Sequence, residues 1–366
     1  MDAIDAALRK GDYTKAAQLV EALDVQDPWT QIYQAKILER QQEWSNAEAI
    51  LKELLRHDHG SKITLAARQG LDRLQKQRSQ ERKQAIAEAV AAPEKTELGV
   101  LILEPIEPAA KTAAAQAMAA IMNIDPYSAR IILPSRGIRL YRSGAIGELA
   151  FYGQQLQAKG VPTFWTPISA LESVTVYAVT YFEAIENQAQ VKVKKSGSDQ
   201  ETTLCFPWSD IAQRIEGQIP IFEEVVDRDS RGKLKRKEQT QDYVNIWDLH
   251  LPKQNCILRL SDSTYQFNHG VALNSPAQGS RLDQSTAWAN WRHLTQILEQ
   301  QIVHKLLASD FSAFAEAALD HPDLLDKIPA NLDLFRREDS NWDPAFHLYS
   351  SLLFLRQFRI AEPFKA

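Results

Sequence analysis

The sequence has few of the residues from which metal sites and phosphate-binding loops are built. It contains two cysteines, Cys205 and Cys256, and 14 glycines among 366 residues. Each cysteine lies among apolar, strand-like residues, which favours buried, reduced thiols over a disulfide or a thiolate metal site. Neither common form of glycine-rich phosphate loop occurs. These absences argue against nucleotide and metal chemistry, and we expect no cofactor.

Long apolar runs and a strong excess of one charge are missing as well. No uninterrupted apolar stretch approaches the ~20 residues of a membrane span, and residues 1–5 lack the basic start and apolar core of a signal peptide. The net charge of -5 and the pI near 6.0 provide no global attraction to nucleic acid or anionic lipid. We therefore expect a cytoplasmic protein without a membrane span.

The composition is that of an ordinary globular protein. Charged residues make up 24% of the chain and apolar residues 44%, so the chain can bury substantial hydrophobic cores. Since domains usually contain roughly 100 to 200 residues, a chain of 366 residues is expected to form two to four of them.

The clearest pattern is a helical phrase that occurs twice, 31 residues apart. Each copy has a turn, an aromatic residue, a small residue three positions later and an apolar stripe: Gly11, Asp12, Tyr13, Ala16, Leu19, Val20 and Leu23 in the first, and Gln42, Glu43, Trp44, Ala47, Ile50, Leu51 and Leu54 in the second. A period of this length predicts stacked helical hairpins, which commonly form a surface that binds another protein.

The spacing of small and aromatic residues resembles the tetratricopeptide (TPR) repeat. Gly11, Tyr13, Ala16 and Pro28 match that family's frame, whereas the second copy has Gln42 in place of the glycine. The resemblance implies helical repeats that bind a partner protein. The alternative is an unrelated helical bundle whose turn happens to recur.

Within this region we expect the aromatic side chains of Tyr13, Tyr33 and Trp44 to contact the partner. The next segment, residues 61–97, is predicted to be a long connecting helix followed by a linker. Its ten residues from 75 to 84 are all polar and cannot bury a helix face. They form either a solvated connecting helix or a basic contact surface.

Residues 98–170 change character to the order strand, helix, helix, strand, helix, strand. This order, with a helix that ends at Gly160 before the last strand, resembles the C-terminal domain of the bacterial ribosomal stalk protein and the Clp-protease adaptor that recognises N-degrons. The resemblance covers residues 98–167 and implies a small α+β fold that docks other proteins. No acidic anchors of an N-degron pocket are identified in this segment, so that pocket is not expected.

The rest of the chain divides into strand-like and helical patterns. We expect strands at 174–182, 189–194, 202–206, 243–251, 256–260 and 265–267, and helices at 286–307, 311–319 and 345–358. Trp288 and Trp291, at helical spacing, are expected to fasten the helical tail to the sheet.

A basic segment lies between two of these strands. Residues 227–238 resemble an EF-hand calcium loop, with Asp227, Asp229, Gly232 and Glu238 at expected places, but Arg231 stands where the fifth-position ligand should be. The preferred interpretation is an exposed hairpin tip with its turn at residues 230–233.

This tip carries six basic residues within ten positions: Arg228, Arg231, Lys233, Lys235, Arg236 and Lys237. That density of charge suits an acidic protein surface or phosphate groups, although a solvated loop is the plainer interpretation. No aromatic residue is interleaved within it, which disfavours single-stranded nucleic acid.

A catalytic alternative rests on Asp248, His250 and Cys256. Asp248 and His250 share one face of a predicted strand, and a return strand would bring the thiol close to them. A structural Asp–His contact beside a buried thiol is the competing interpretation. His57 and His59 form a pair at a helix end, but no further cluster completes a set of four metal ligands.

The sequence thus predicts a multidomain α+β protein. Its expected parts are TPR-like helical hairpins at 1–60, the connecting helix at 61–97, a small βααβαβ sandwich at 98–170, an antiparallel β-rich domain at 171–273 and a C-terminal helical cap at 280–366. The expected function is that of a non-enzymatic adaptor or assembly factor whose partners are proteins, such as subunits of a large complex. The alternatives are an enzyme or small-molecule-binding protein using the β-rich domain, and an RNA-associated factor using the basic hairpin 228–237.

Overall fold

The protein is seen here as a computed structural model that combines helices and sheets. It describes residues 2–195, 198, 200–228, 234–272, 287–302, 306–334, 336 and 339–361. Over these residues it contains 13 α-helices and two β-sheets, which confirms the expected mixed α+β class. The chain separates into two compact units, Met1–Ala89 and Val90–Ala366. Among the described residues, no helix has the length and hydropathy needed to cross a membrane.

The first unit is a row of helices in which each packs on the next. Its helices are α1 (Asp2–Lys10), α2 (Tyr13–Glu21), α3 (Pro28–Arg40), α4 (Trp44–Arg56) and α5 (Ser61–Ala89). Helices α1 and α2 form one antiparallel hairpin, α3 and α4 form the next, and α5 packs on both α3 and α4. The small side chains of Ala16 and Ala47 are fully buried at equivalent places, which lets neighbouring helices approach closely.

The two hairpins share a turn of the same conformation. Gly11 has φ 74° and Gln42 has φ 64°, so both lie in the left-handed region. In each turn the residue that follows donates its backbone N–H to the carbonyl five positions earlier: Asp12 to Ala7 at 3.0 Å and Glu43 to Leu38 at 2.9 Å. This is how helices commonly end. The departure from glycine at position 42 therefore leaves the turn unchanged.

Helix starts in the array follow from capping residues. The Asp12 side chain accepts the backbone N–H of Lys15, and Asp27 accepts that of Thr30 with Pro28 in the first turn. Helix α5 then packs through Gly70, where an added Cβ would lie 2.8 Å from Leu51 Cδ1. Glycine at that position allows the close contact between α5 and α4.

The second unit begins with a three-stranded antiparallel sheet covered by helices. Its elements are β1 (Leu98–Leu103), α6 (Lys111–Met122), α7 (Pro126–Ile132), β2 (Arg139–Ala145), α8 (Ile146–Ala158) and β3 (Thr163–Pro167), and the strand order is β2-β1-β3. The likeness of this segment to the stalk protein and the Clp adaptor stays a prediction.

A short helix, α9 (Ser169–Glu172), leads into a sheet of seven strands. These are β4 (Thr175–Ala184), β5 (Ala189–Lys195), β6 (Glu201–Phe206), β7 (Gln213–Arg228), β8 (Leu234–Leu251), β9 (Cys256–Ser261) and β10 (Leu306–Ala308), in the order β10-β7-β8-β9-β4-β5-β6. The expected antiparallel β-rich domain is mixed in the structure, because β4 pairs with β9 and β10 pairs with β7 in parallel, whereas the other pairings are antiparallel.

Two details of the strand prediction also differ from the structure. Strand β7 was not among the expected strands, although it forms the longest pairing, with β8. Residues 265–267 are not a strand; Tyr265 is buried and its hydroxyl accepts the backbone N–H of Phe182, while the N–H of Gln266 donates to the carbonyl of Thr180. The segment therefore follows β4 through isolated hydrogen bonds instead of a regular ladder.

The remaining helices cover the two faces of the large sheet. They are α10 (Ala287–Gln301), α11 (Phe311–Ala318), α12 (Pro322–Leu325) and α13 (Trp342–Ala361). Trp291 of α10 is buried against Trp247 on one face, whereas Trp288 is 57% exposed, so only one of the two tryptophans fastens this helix. On the other face, α13 is buried on all sides from residue 343 to 354.

One hydrophobic cluster joins elements that are far apart in the sequence. It includes Val100 of β1, Ile215 of β7, Phe314 of α11 and Leu352 of α13. Helix α13 therefore lies between the small sheet and the large one, which explains why it is buried on all sides from residue 343 to 354.

Candidate functional site

The aromatic residues expected to contact a partner occupy two different environments. Tyr13 and Trp44 begin α2 and α4 at equivalent positions, and both are half-buried. Tyr33 is only 5% exposed, its hydroxyl donates to Asp5 at 2.8 Å, and the Lys36 ammonium lies 4.9 Å from its ring centroid. Tyr33 thus belongs to the core of the array. A contact of these residues with a partner stays a prediction.

The basic hairpin is described on both of its arms but not at its turn. Arg228 pairs with Leu234 across the ladder, so β7 and β8 remain paired up to the last described residues of each arm. Lys235, Arg236 and Lys237 follow on β8, whereas Arg231, Lys233 and the expected turn lie outside the described residues. An acidic or nucleic-acid partner at this place stays a prediction.

The backbone around this hairpin differs from that of an EF-hand. An EF-hand calcium loop joins two helices, whereas Asp227 and Glu238 both lie on strands. Glu238 is paired with Glu224 in the ladder, so its backbone is held in the sheet. The segment is a long β-hairpin.

The catalytic alternative based on Asp248, His250 and Cys256 is wrong, because these residues lie on opposite faces of the sheet. Asp248 and His250 face α13, where His250 Nε2 lies 3.0 Å from Ser350 Oγ. Cys256 packs on the other face, in the cluster that includes Leu258. A sheet lies between the thiol and the imidazole, so no proton can pass directly between them.

Burial also makes these groups poor catalysts at neutral pH. It lowers the pKa of His250 to about 4 and raises the pKa of Cys256 to about 11. The imidazole is therefore neutral and the thiol protonated. Both cysteines are free, but Cys205 is exposed, contrary to the expectation that both are buried.

The partner of Asp248 is Arg259, which sequence reasoning missed. Nε and Nη2 of Arg259 donate to the two carboxylate oxygens of Asp248 at 2.9 and 2.7 Å, and both side chains are buried. Nη1 donates to the carbonyls of Ala330 and Asn331 at 3.3 and 3.1 Å. The signal in the sequence was a lone arginine in the otherwise apolar residues 256–260. That this arginine pairs with Asp248 could be seen only from the register of β8 and β9.

A second missed residue is His347 of α13. It is buried, with Nε2 at 3.0 Å from Asn331 Nδ2 and Nδ1 at 3.4 Å from Ser351 Oγ. Burial lowers its pKa to about 3, so the ring is neutral and can accept from the Asn331 amide. Arg259 and His347 together hold Asn331, which has a left-handed φ of 50°.

Two clefts open on either side of Asn331. The first, of about 250 Å³, is bordered by α9, the start of β4 and His347. The second, of about 180 Å³, lies between the middle of β4, Arg259 and the segment 331–334. We call residues 329–334 the strap. The strap separates the two clefts and is fixed to the sheet and to α13 by the hydrogen bonds of Arg259 and His347.

The histidine pair of the first unit shows no sign of a metal site. The rings of His57 and His59 lie 6.0 Å apart, edge to face. Across the described parts of the chain, no group of three or more histidine, cysteine, aspartate or glutamate side chains is arranged to hold a metal ion.

Comparison with known proteins assigns no relative. No family model, no curated protein and no solved structure matches the chain. Both family resemblances noted in the sequence therefore stay predictions.

Proposed function

We propose that this chain is a non-enzymatic adaptor or assembly factor that holds other proteins on its helical array, by which we mean α1–α5. The observation that carries the proposal is that the two helical hairpins share three features. The residue pattern recurs after 31 positions, both turns are left-handed at Gly11 and Gln42, and Ala16 and Ala47 are fully buried at the same place. Repeats of this kind commonly provide extended surfaces for partner proteins.

Helix α5 supports the same proposal by its length and polarity. Its 29 residues extend for about 43 Å, and its buried residues, Ile63, Ala67, Gly70 and Leu74, all lie in the first half. Most side chains from 75 to 84 are exposed. A rigid helix that continues beyond its own packing partners presents a surface on which another protein can dock.

The first unit also exposes isolated apolar side chains that can be tested. Val25 is 60% and Leu65 is 58% exposed. Single exposed apolar residues are common on protein surfaces. They are nevertheless suitable positions for substitution, because a change to glutamate there disturbs a docking surface without altering the core of the array.

Affinity capture under low salt from the native cells tests the proposal. The full-length protein is compared with the Val25→Glu, Leu65→Glu double variant and with a control, Leu307→Glu, which makes the same kind of change at a 51% exposed leucine of the second unit. We expect a defined set of subunits to co-purify with the parent and the control and to be lost from the double variant. Capture of the same set by all three proteins, or of none by the parent, would contradict the array proposal.

The basic hairpin is proposed as a second contact for an acidic protein surface. Neutralising Arg231, Lys233, Lys235, Arg236 and Lys237 should then reduce binding of the captured partner at low salt, with little effect at high salt, because exposed charge pairs are screened. Retention of the parent on RNA, lost in the neutralised variant, would favour the nucleic-acid alternative instead.

A further inference from the structure

The cleft of about 180 Å³ beside the strap is built around an irregularity in β4. In the ladder with β5, Val179 pairs with Val193 and Tyr181 pairs with Lys192, so Thr180 is an extra residue, a β-bulge. β-Bulges are common beside functional sites. Thr180 lines the cleft together with Ala178, which lies two positions earlier on the same face of β4.

The floor of this cleft is polar although it is buried. Thr180, Ser261 and Arg259 line it with exposed fractions of 6%, 3% and 2%. Arg259 is engaged by Asp248 and the strap, and the Ser261 hydroxyl lies 2.8 Å from that of Ser263. The Thr180 hydroxyl makes no hydrogen bond with any described residue. A hydroxyl can both donate and accept a hydrogen bond, so this group is available to a polar molecule bound in the cleft.

Opposite charges stand on the two walls of the cleft. Lys194 lies on β5, and Asp333 lies on the strap, where it forms no ion pair with a described residue. Lys194 has a carboxylate neighbour, Glu201, at a long 3.8 Å. The charge of Arg259 is compensated by Asp248. The cleft therefore favours a dipolar ligand over an anion or a cation.

We infer that this cleft binds a small zwitterion of the free amino acid class. Its carboxylate would lie toward Lys194, its ammonium toward Asp333, and one of its polar groups would pair with the Thr180 hydroxyl. The ligand must be small, because the cleft lies below the roughly 300 Å³ at which pockets accommodate drug-sized molecules. Leu332 and Leu334 on the strap provide apolar contact for its side chain.

The strap makes the cleft preorganised. Arg259 holds the carbonyls of Ala330 and Asn331, so the wall that carries Asp333 is fixed before a ligand arrives. A preformed wall lowers the ordering cost of binding. This site is in the second unit, so the inference is independent of the adaptor function proposed for the helical array.

Isothermal titration calorimetry of the full-length protein with each of the twenty L-amino acids tests the inference. Any amino acid that binds is then compared with its N-acetyl derivative, which lacks the ammonium, and with its amide, which lacks the carboxylate. We expect at least one amino acid to bind and each derivative to bind at least about tenfold more weakly, a loss of about 1.4 kcal/mol. Failure of all twenty to bind, or equal binding of the derivatives, overturns the inference.

Substitutions locate the site. Lys194→Met, Asp333→Asn and Thr180→Val should each weaken binding by about tenfold or more, whereas Lys194→Arg, which keeps the charge, should retain it. Lys195→Met and Asp326→Asn remove like charges outside this cleft and serve as controls, with binding unchanged. Circular dichroism verifies that each variant is folded. Binding that survives in both Lys194→Met and Asp333→Asn would place the ligand elsewhere and overturn the inference.

Discussion

At the scale of single residues, the pair formed by Asp248 and Arg259 links the large sheet to the strap. Both side chains are buried, joined by two hydrogen bonds, and connected to the strap through Ala330 and Asn331. A buried ion pair gains little net stability over apolar residues, but loss of one partner leaves an uncompensated charge. The main effect of the pair is therefore to fix the position of the strap, and its net contribution to the stability of the fold is small.

A double-mutant cycle tests this interpretation of the pair. Arg259→Met should lower the free energy of unfolding by about 3–5 kcal/mol, because it leaves the Asp248 carboxylate buried and alone. The double variant Asp248→Leu, Arg259→Met should lose much less than the two single variants combined. Urea denaturation measures all three, and strictly additive losses would show that the two side chains do not depend on each other.

The two tryptophans of α10 provide a matched pair of substitutions. Trp291→Ala should cost about 3–5 kcal/mol because it removes a buried ring that packs against Trp247. Trp288→Ala should change the free energy of unfolding by less than about 0.5 kcal/mol, since its ring is largely exposed and contacts Arg292. Equal losses in thermal or urea denaturation would contradict the observed orientation of α10.

At the scale of elements, the repeated turn has the same backbone conformation in both hairpins although the residue that adopts it differs. Gly11 and Gln42 both have positive φ, which glycine adopts freely and glutamine adopts at a cost. An added Cβ at Gly11 would meet no atom within 4 Å, so the cost of a side chain there is conformational and not steric. The turn of the first hairpin is therefore unstrained at Gly11, whereas the turn of the second hairpin is strained at Gln42.

Reciprocal substitutions at the two turns should have opposite signs. Gln42→Gly should raise the free energy of unfolding by up to about 1 kcal/mol, whereas Gly11→Ala should lower it by about 1 kcal/mol. Thermal unfolding followed by circular dichroism compares the two variants with the parent. A loss of stability in both would mean that Gln42 contributes a contact that outweighs its backbone strain.

Individual helices and strands could be predicted from the sequence, but their neighbours in space could not. The helical pattern around Ala16 and Ala47 depends on residues within two turns of each other, so its period was sufficient to predict helices there. The β-branched, aromatic and apolar residues of β4 and β9 likewise marked two strands. They did not indicate that the two strands are parallel neighbours, because composition identifies a strand but not the strand beside it.

At the scale of the whole molecule, the second unit is held together around α13. Polar residues of this helix meet polar residues of the sheet and of the strap: Ser350 contacts His250 on β8, and His347 contacts Asn331 on the strap. Both histidines are neutral because burial depresses their pKa values to about 4 and about 3. The packing of the helix on the sheet therefore requires unprotonated imidazoles.

Stability should consequently depend on pH in a defined window. Because the folded pKa of His250 lies below its ordinary value of 6.5, its contribution is fully present above pH 6.5 and is lost progressively as the pH falls toward about 4. His347 extends the loss toward about pH 3. Urea midpoints of the parent and of His250→Gln measured across this window should converge as the pH falls. Parallel curves for the two proteins would contradict the assignment.

The sequence by itself determined the features that depend on near neighbours along the chain. These are the repeated hairpins of the first unit, the capping of their helices by Asp12 and Asp27, and the alternation that marks the strands of the second unit. Local hydrogen bonds and side-chain periodicity specify such features directly, without reference to the rest of the molecule.

Only the tertiary structure decided which distant residues meet. It placed Cys256 on the face opposite His250, paired Arg259 with Asp248, and brought the strap against His347. These outcomes depend on strand order and register and on the burial of α13 between two sheets. They are set by the free energy of the whole packed unit. One short segment of the sequence is therefore insufficient to predict them.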